Sequence, residues 1–111
     1  MYEYKAYVKK VYDGDTITVD IDLGFGVMLK SQKIRLFGIN TPEIRGKSRA
    51  DGLKSRDALR EKIADKWIII KTKRDKKGKY GRWLGEIYNL ESKDSINSWL
   101  ISEGYAEEYK K

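Results

Sequence analysis

From Lys33 to Gly46 the chain reads Lys-Ile-Arg-Leu-Phe-Gly-Ile-Asn-Thr-Pro-Glu-Ile-Arg-Gly. Arg35 is set into an apolar run. An amide, a hydroxyl and a carboxylate (Asn40, Thr41, Glu43) follow within four residues, around Pro42, the single proline of the chain. Pro42 fixes its own φ and pushes Thr41 into extended backbone, so the turn is stiff. Oxygen ligands on a stiff turn beside a strand-anchored guanidinium could hold a hard cation and a phosphate group. Taken alone, the stretch also reads as a strand that ends in an ordinary polar turn.

Other residues carry the same ambiguity. Asp15 has the parity of Ile17, Val19 and Ile21. A carboxylate aimed at an apolar face costs free energy unless it is paired or bound to a cation. The plainer alternative is that Asp15 closes the preceding turn by hydrogen-bonding backbone. Arg35 needs an anion, either a carboxylate such as Asp15 or Glu43 in a structural salt bridge, or a ligand phosphate. Residues 74–81 read Arg-Asp-Lys-Lys-Gly-Lys-Tyr-Gly, with Arg82 directly after. Such a loop suits backbone phosphates, and Tyr80 could stack on a base. Most charge runs, however, are solvated tips.

Composition narrows the chemistry. Among 111 residues there is no cysteine and no histidine. Disulfides, thiolate zinc sites, imidazole bases and Ser-His-Asp triads are therefore excluded. Acid–base or metal chemistry must use carboxylates, amides, hydroxyls, tyrosines, lysines or arginines, and oxygen donors suit calcium or magnesium. The formal charge of +7 favours a polyanionic partner, nucleic acid first and anionic membrane second. No run of about 18 apolar residues exists, so no membrane span is expected. The N-terminus has no signal-peptide pattern. A cytoplasmic protein is the default expectation, secretion of a trimmed precursor being the other possibility. One domain is expected at this length.

The elements that must position these residues can be read in order. Residues 4–12 alternate as a first strand, Asp13-Gly14 is a hairpin signal in which Gly would supply positive φ, and residues 15–22 form a clean second strand. Leu23 to Ser31, with Gly24 and Gly26, reads as a second bend. Gln32 to Ile39 is a third strand, central because both faces are apolar. Arg45 to Gly52 is a basic loop, and Leu53 to Ala64 a helix with Leu53, Leu59 and Ile63 as its stripe. Trp67 to Ile70 is too short and too β-branched for a helix, so it is a buried fourth strand. Arg82 to Tyr88 is a fifth. A short helix around Ile96, Trp99, Leu100 and Ile101 should be capped by Asp94 or Ser95 and stopped by Gly104, leaving a brief tail. The fold class is α+β, mainly β: a five-stranded OB-fold barrel with a helix between strands 3 and 4 and a short C-terminal helix.

Asp13-Gly14-Asp15-Thr16, then Arg35-Leu36 leading to Asn40-Thr41-Pro42-Glu43, then Lys79-Tyr80-Gly81-Arg82, resemble the staphylococcal nuclease-like (thermonuclease) family. The likeness reaches Ile96-Asn97 and Leu100 to Gly104 in the late helix. It implies calcium-dependent hydrolysis of DNA and RNA phosphodiesters, breaking the bond to the 5′ oxygen and leaving 3′-phosphates. The substrate it implies is nucleic acid, single-stranded or denatured DNA or RNA, and the expected form is a monomer. Matched by position, Asp15 looks like a carboxylate ligand of calcium, Asn40 falls where the family usually has a second aspartate, and Thr41 would offer its backbone carbonyl. Glu43 looks like the residue that positions or deprotonates the attacking water. Arg35 and Arg82 would clamp the scissile phosphate, and Lys79 and Tyr80 resemble the pair that contacts a terminal phosphate. The chemistry is coherent without the name: the reaction needs a nucleophilic water, a cation on the phosphoryl oxygens and preorganised positive charge.

Two departures matter. Asn40 keeps a carbonyl but loses one negative charge, which implies weaker calcium binding or preference for another hard divalent cation. The best-known family member continues beyond Gly104 into a further helix, and Tyr105 and Tyr109 lie near its base-stacking tyrosines without aligning with them. The competing function is a non-catalytic OB-fold nucleic-acid-binding module, and a third is a structural or protein-binding barrel. A pure binder has no need of Glu43 together with both arginines.

Overall fold

The computed structural model describes residues 2–73 and 83–109. Its elements follow in the order β1 (Tyr2–Asp13), β2 (Thr16–Gly24), β3 (Val27–Leu36), β4 (Ile39–Asn40), α1 (Arg49–Ile63), β5 (Trp67–Lys73), β6 (Trp83–Asn89), α2 (Ile96–Ser102) and β7 (Glu107–Glu108). Five strands close into a barrel in the order β1-β2-β3-β6-β5, while β4 and β7 form a separate two-stranded pair. Only β3 and β6 run parallel; the other barrel pairs are antiparallel. This is the expected OB-type architecture, with α1 between the third and fourth barrel strands.

Period-2 alternation fills the barrel. Ala6, Val8 and Val11 of β1, Ile17, Val19 and Ile21 of β2, and Ile34 and Leu36 of β3 meet Ile68, Ile70 and Ile87 in one buried cluster. Leu59 and Ile63 of α1 and Ile96 and Leu100 of α2 cover its ends. The stripe of α1 is narrower than the spacing predicts, because Leu53 is only half-buried. The helix also starts four residues earlier than the apolar pattern suggests, at Arg49, after a 3₁₀ turn over Gly46–Ser48. Ser95 caps α2 by accepting from Ser98 N–H at 3.1 Å, and Gly104 ends it at φ +80°.

Several expectations change. The bend expected over residues 23–31 contracts to a tight turn, with Gly24, Phe25 and Gly26 all at positive φ. The β2–β3 hairpin is therefore longer than the glycine spacing implies. The irregularity moves to Ser31, at φ +54° beside a break in register. The third strand stops at Leu36 rather than Ile39, because Gly38 turns the chain at φ +77°. The expected tail is partly ordered: Glu107–Glu108 pair with Ile39–Asn40, and Tyr109 N–H donates to Gly38 O at 2.8 Å.

Asn97 ties these corners together. It is buried, accepts from Ile87 N–H at 3.0 Å and donates to Phe37 O at 2.8 Å. A buried amide satisfied on both sides fixes α2 against the β3–β4 turn. Among the described residues, no helix is long and apolar enough to cross a membrane.

Candidate active site

The site begins at the β1–β2 hairpin. Asp13 pairs with Thr16, so the two-residue turn is Gly14-Asp15. Gly14 is not among the residues at positive φ, so conformational freedom is not its role here. A Cβ at Gly14 would stand 2.8 Å from Thr41 Cγ2 and 2.9 Å from Ser55 Cβ. The bare backbone lets the hairpin tip press against both the Thr41 turn and α1.

That contact brings Asp15 to Thr41. Asp15 is only 7% exposed. Its Oδ2 accepts from Thr41 N–H at 3.1 Å and lies 3.4 Å from Arg35 Nη1. Its Oδ1 accepts from Thr16 Oγ1 at 3.2 Å. Asp15 therefore does not close the β1–β2 turn, where Asp13 Oδ1 takes the Asp15 N–H; its own carboxylate holds Thr41 N–H and pairs with Arg35, and a buried carboxylate gains from both.

Arg35 is the most constrained charge of the site. Nη1 donates to Leu36 O and to Ile39 O, each at 3.0 Å. Nη2 donates to Asn40 Oδ1 at 3.3 Å. Of five guanidinium N–H groups, these bonds use three, leaving two without a partner among the described residues. Among the described residues, the planar fork is therefore fixed along one edge and open along the other.

Glu43 follows on the same stiff turn but stands apart. Its side chain is exposed and makes no hydrogen bond or ion pair with the Asp15–Arg35 cluster among the described residues. Its backbone is held firmly. Ser48 Oγ donates to Glu43 O at 3.0 Å, and a Cβ on Gly52 would lie 2.3 Å from that same oxygen. The first turn of α1 thus packs directly on the Pro42-Glu43 backbone. Ser55 Oγ donates to Tyr105 O at 2.6 Å, tying the same helix to the C-terminal segment. Asn40, Thr41 and Pro42 then line an open cavity of about 220 Å³ with Gly104 to Glu107.

The fold therefore gathers Asp15, Arg35, Asn40 and Thr41 at one corner, with Glu43 two residues further along the same turn. Lys79, Tyr80 and Arg82 lie outside the described residues. Sequence reasoning missed Asp13, which it used only as a turn signal. Asp13 Oδ1 accepts from Asp15 N–H at 3.1 Å. Burial, then the adjacent Asp15 carboxylate, push its pKa up to about 6. The signal was present in two carboxylates flanking one glycine.

Among the described residues no three His, Cys, Asp or Glu side chains converge to hold a metal ion. A cation here must take amide and backbone oxygens as well. Asp15, the Asn40 amide oxygen and the Thr41 carbonyl are such donors, all hard. The like-charged Asp13/Asp15 pair is the electrostatic arrangement that a cation relieves. By type these are the hard oxygen donors that calcium or magnesium takes.

Comparison with known proteins agrees with the fold. A family model described as "Staphylococcal nuclease homologue" matches residues 33–111. Endonuclease YhcR of Bacillus subtilis is 34% identical over 117 residues, an alignment covering 96% of this chain and 9% of that protein. Uncharacterized protein MJ1439 of Methanocaldococcus jannaschii is 31% identical, over 96% of this chain and 59% of the relative. A thermonuclease of Staphylococcus hyicus is 29% identical, over 89% of this chain and 56% of the relative. The chain thus spans under two thirds of each of these relatives.

Proposed function

The chain belongs to the staphylococcal nuclease family, and on that premise we propose that it is a metal-dependent nuclease hydrolysing phosphodiester bonds of DNA and RNA. The observation that carries the reading is the half-open guanidinium of Arg35. Three donors are anchored on Leu36 O, Ile39 O and Asn40 Oδ1, and the other two, without a partner among the described residues, would meet two oxygens of a phosphate. Charge fixed in advance by the fold needs no reorganisation as the transition state forms, which is where such groups lower barriers most.

The other roles follow from residue chemistry. Glu43, exposed on the rigid Pro42 turn, orients a water and takes its proton as oxygen attacks phosphorus. The bond to the 5′ oxygen breaks, leaving a 3′-phosphate. Arg82 is the second guanidinium on the five-coordinate phosphorus, and Lys79 with Tyr80 contacts a terminal phosphate. Asp15, Asn40 and the Thr41 carbonyl would hold calcium, which when bound supplies Lewis-acid polarisation of a phosphoryl oxygen. Asn40 brings a dipole where a charge would bind more tightly, so affinity is lower than in an Asn40→Asp variant, or another hard divalent ion is preferred.

The test is degradation of heat-denatured DNA with calcium, repeated with chelator and with Glu43→Ala. Loss of activity in both arms is expected. Degradation indifferent to chelator would refute the metal assignment. No degradation by the unmodified protein, with salt-sensitive binding retained, would leave a binding module instead. Within the clamp, Arg82→Ala should lower turnover far more than Lys79→Ala.

A further inference from the structure

The outward face of β1, β2 and β3 carries charge in rows. Arg35 of β3 pairs with Thr16 of β2 at the site. One row further from the site, Lys10, Thr18 and Lys33 lie in register across the three strands. Lys10 and Lys33 are both exposed, and neither makes an ion pair among the described residues. In the next row, Lys9 and Lys30 flank Asp20 at 3.8 and 3.6 Å. Asp20 is itself buried and accepts from Ser31 N–H at 2.8 Å. Its carboxyl is held below the usual range by that hydrogen bond first and by the two lysines after it. One buried carboxylate therefore fixes two exposed ammonium groups and leaves the row net positive.

Rows two residues apart on a strand are about 6.7 Å apart, close to the distance between neighbouring phosphates along one polynucleotide strand. The register breaks at Lys9 and Ser31 fall in the third row, where both lysines remain exposed. Arg35 stands in the adjoining row of the same strand register, and the charge of the face complements a polyanion.

We propose that this face is a substrate track: one strand of nucleic acid runs from Arg35 over Lys10 and Lys33 to Lys9 and Lys30, its phosphates seated on successive rows. The track rests on the reading of the Arg35 corner as the place of cleavage, and it extends that site along the β2–β3 hairpin. It contacts backbone only, so it adds affinity without base preference.

The experiment compares the unmodified protein with Lys10→Gln/Lys33→Gln, with Lys10→Arg/Lys33→Arg, and with Lys54→Gln/Lys93→Gln as an equal charge change on exposed lysines of α1 and the β6–α2 turn. Binding of a labelled oligothymidylate that spans the face is measured in chelator across a salt series, so no hydrolysis is needed. Hydrolysis is measured separately on that strand and on a dinucleotide. The Lys10/Lys33 glutamine variant should bind about tenfold more weakly or worse, with the log–log salt slope reduced by about 1.4, two phosphate contacts on a single strand. Its kcat/KM should fall on the long strand and stay unchanged on the dinucleotide, and the arginine variant should restore both. An unchanged slope, an equal loss in the Lys54/Lys93 variant, or an equal loss on the dinucleotide would overturn the track. If the unmodified protein cleaves nothing, the catalytic reading fails while the salt series still decides the track.

Discussion

The two ends of the β2–β3 hairpin invert the usual rule of burial. At one end Asp15 and Arg35, both ionisable, lie largely inside, with side chains 10% and 18% exposed. At the other, Leu23, Phe25, Val27 and Leu29 are all exposed, Phe25 fully. The same two strands run between them. What differs is what meets each end. At the site, Thr41 and Ser55 of α1 press on the adjoining Gly14, and backbone groups of Leu36, Ile39 and Thr41 satisfy the charges. At the tip, nothing among the described residues packs on Phe25. A buried charge persists because neighbours supply hydrogen bonds; an exposed ring persists because nothing arrives to cover it.

The comparison breaks most visibly at Arg35. Arg35→Ala leaves Asp15 without its counter-charge and removes the proposed phosphate clamp. Stability should fall by about 3 kcal/mol, read from the urea midpoint, and turnover by about 100-fold or more, read on denatured DNA at a temperature where the variant stays folded. A variant that keeps its midpoint would mean that Thr41 N–H and Thr16 Oγ1 suffice to hold Asp15.

Gly14→Ala tests whether close approach, rather than turn geometry, closes the site end. The added methyl would stand 2.8 Å from Thr41 Cγ2, and overpacking of this kind costs about 1–3 kcal/mol. Pairing it with Thr41→Ser, which removes the facing methyl, should recover part of the loss in chemical denaturation. No recovery would place the cost elsewhere.

At the tip the expected sign reverses. Phe25 sits at φ +56°, a conformation that costs a bulky residue about 1 kcal/mol and that glycine adopts freely. Phe25→Gly should therefore be near neutral or stabilising by up to about 1 kcal/mol in the same assay. A clear destabilisation would show that the ring packs on something in the folded protein.

The gentlest effect is a pH slope. Asp13 is raised from its ordinary 3.8 to about 6, so between those values the folded chain holds more protons than the unfolded one. Its contribution to stability is present at low pH and is lost as pH rises through 6. In chelator, Asp13→Asn should flatten that part of the stability profile, measured by thermal unfolding from pH 4 to 7. An identical profile would mean that Asp13 titrates as it does in the unfolded chain.

Much of this was legible beforehand, for definable reasons. Alternation along 15–22 gave β2 its faces because side-chain period on a strand is local. The Ser95 cap and the Gly104 stop were legible because capping is decided within a few residues. The bend over residues 23–31 was misjudged because two glycines marked its position but not its width. The pairing of Glu107–Glu108 with Ile39–Asn40 was invisible because neither two-residue segment has a period to detect.

By itself, the sequence determined the chemistry open to this protein. Without histidine or cysteine, only carboxylates, amides, hydroxyls, amines and guanidiniums remain, on a strongly basic chain. It also determined which faces of each strand are apolar. Tertiary structure alone decided that Asp15 meets Arg35 and Thr41, 20 and 26 residues away, and that Gly14 and Gly52 are sites of close approach. Residue preference acts along the chain, whereas contacts between distant residues exist only once the barrel has closed and brought their backbones within reach.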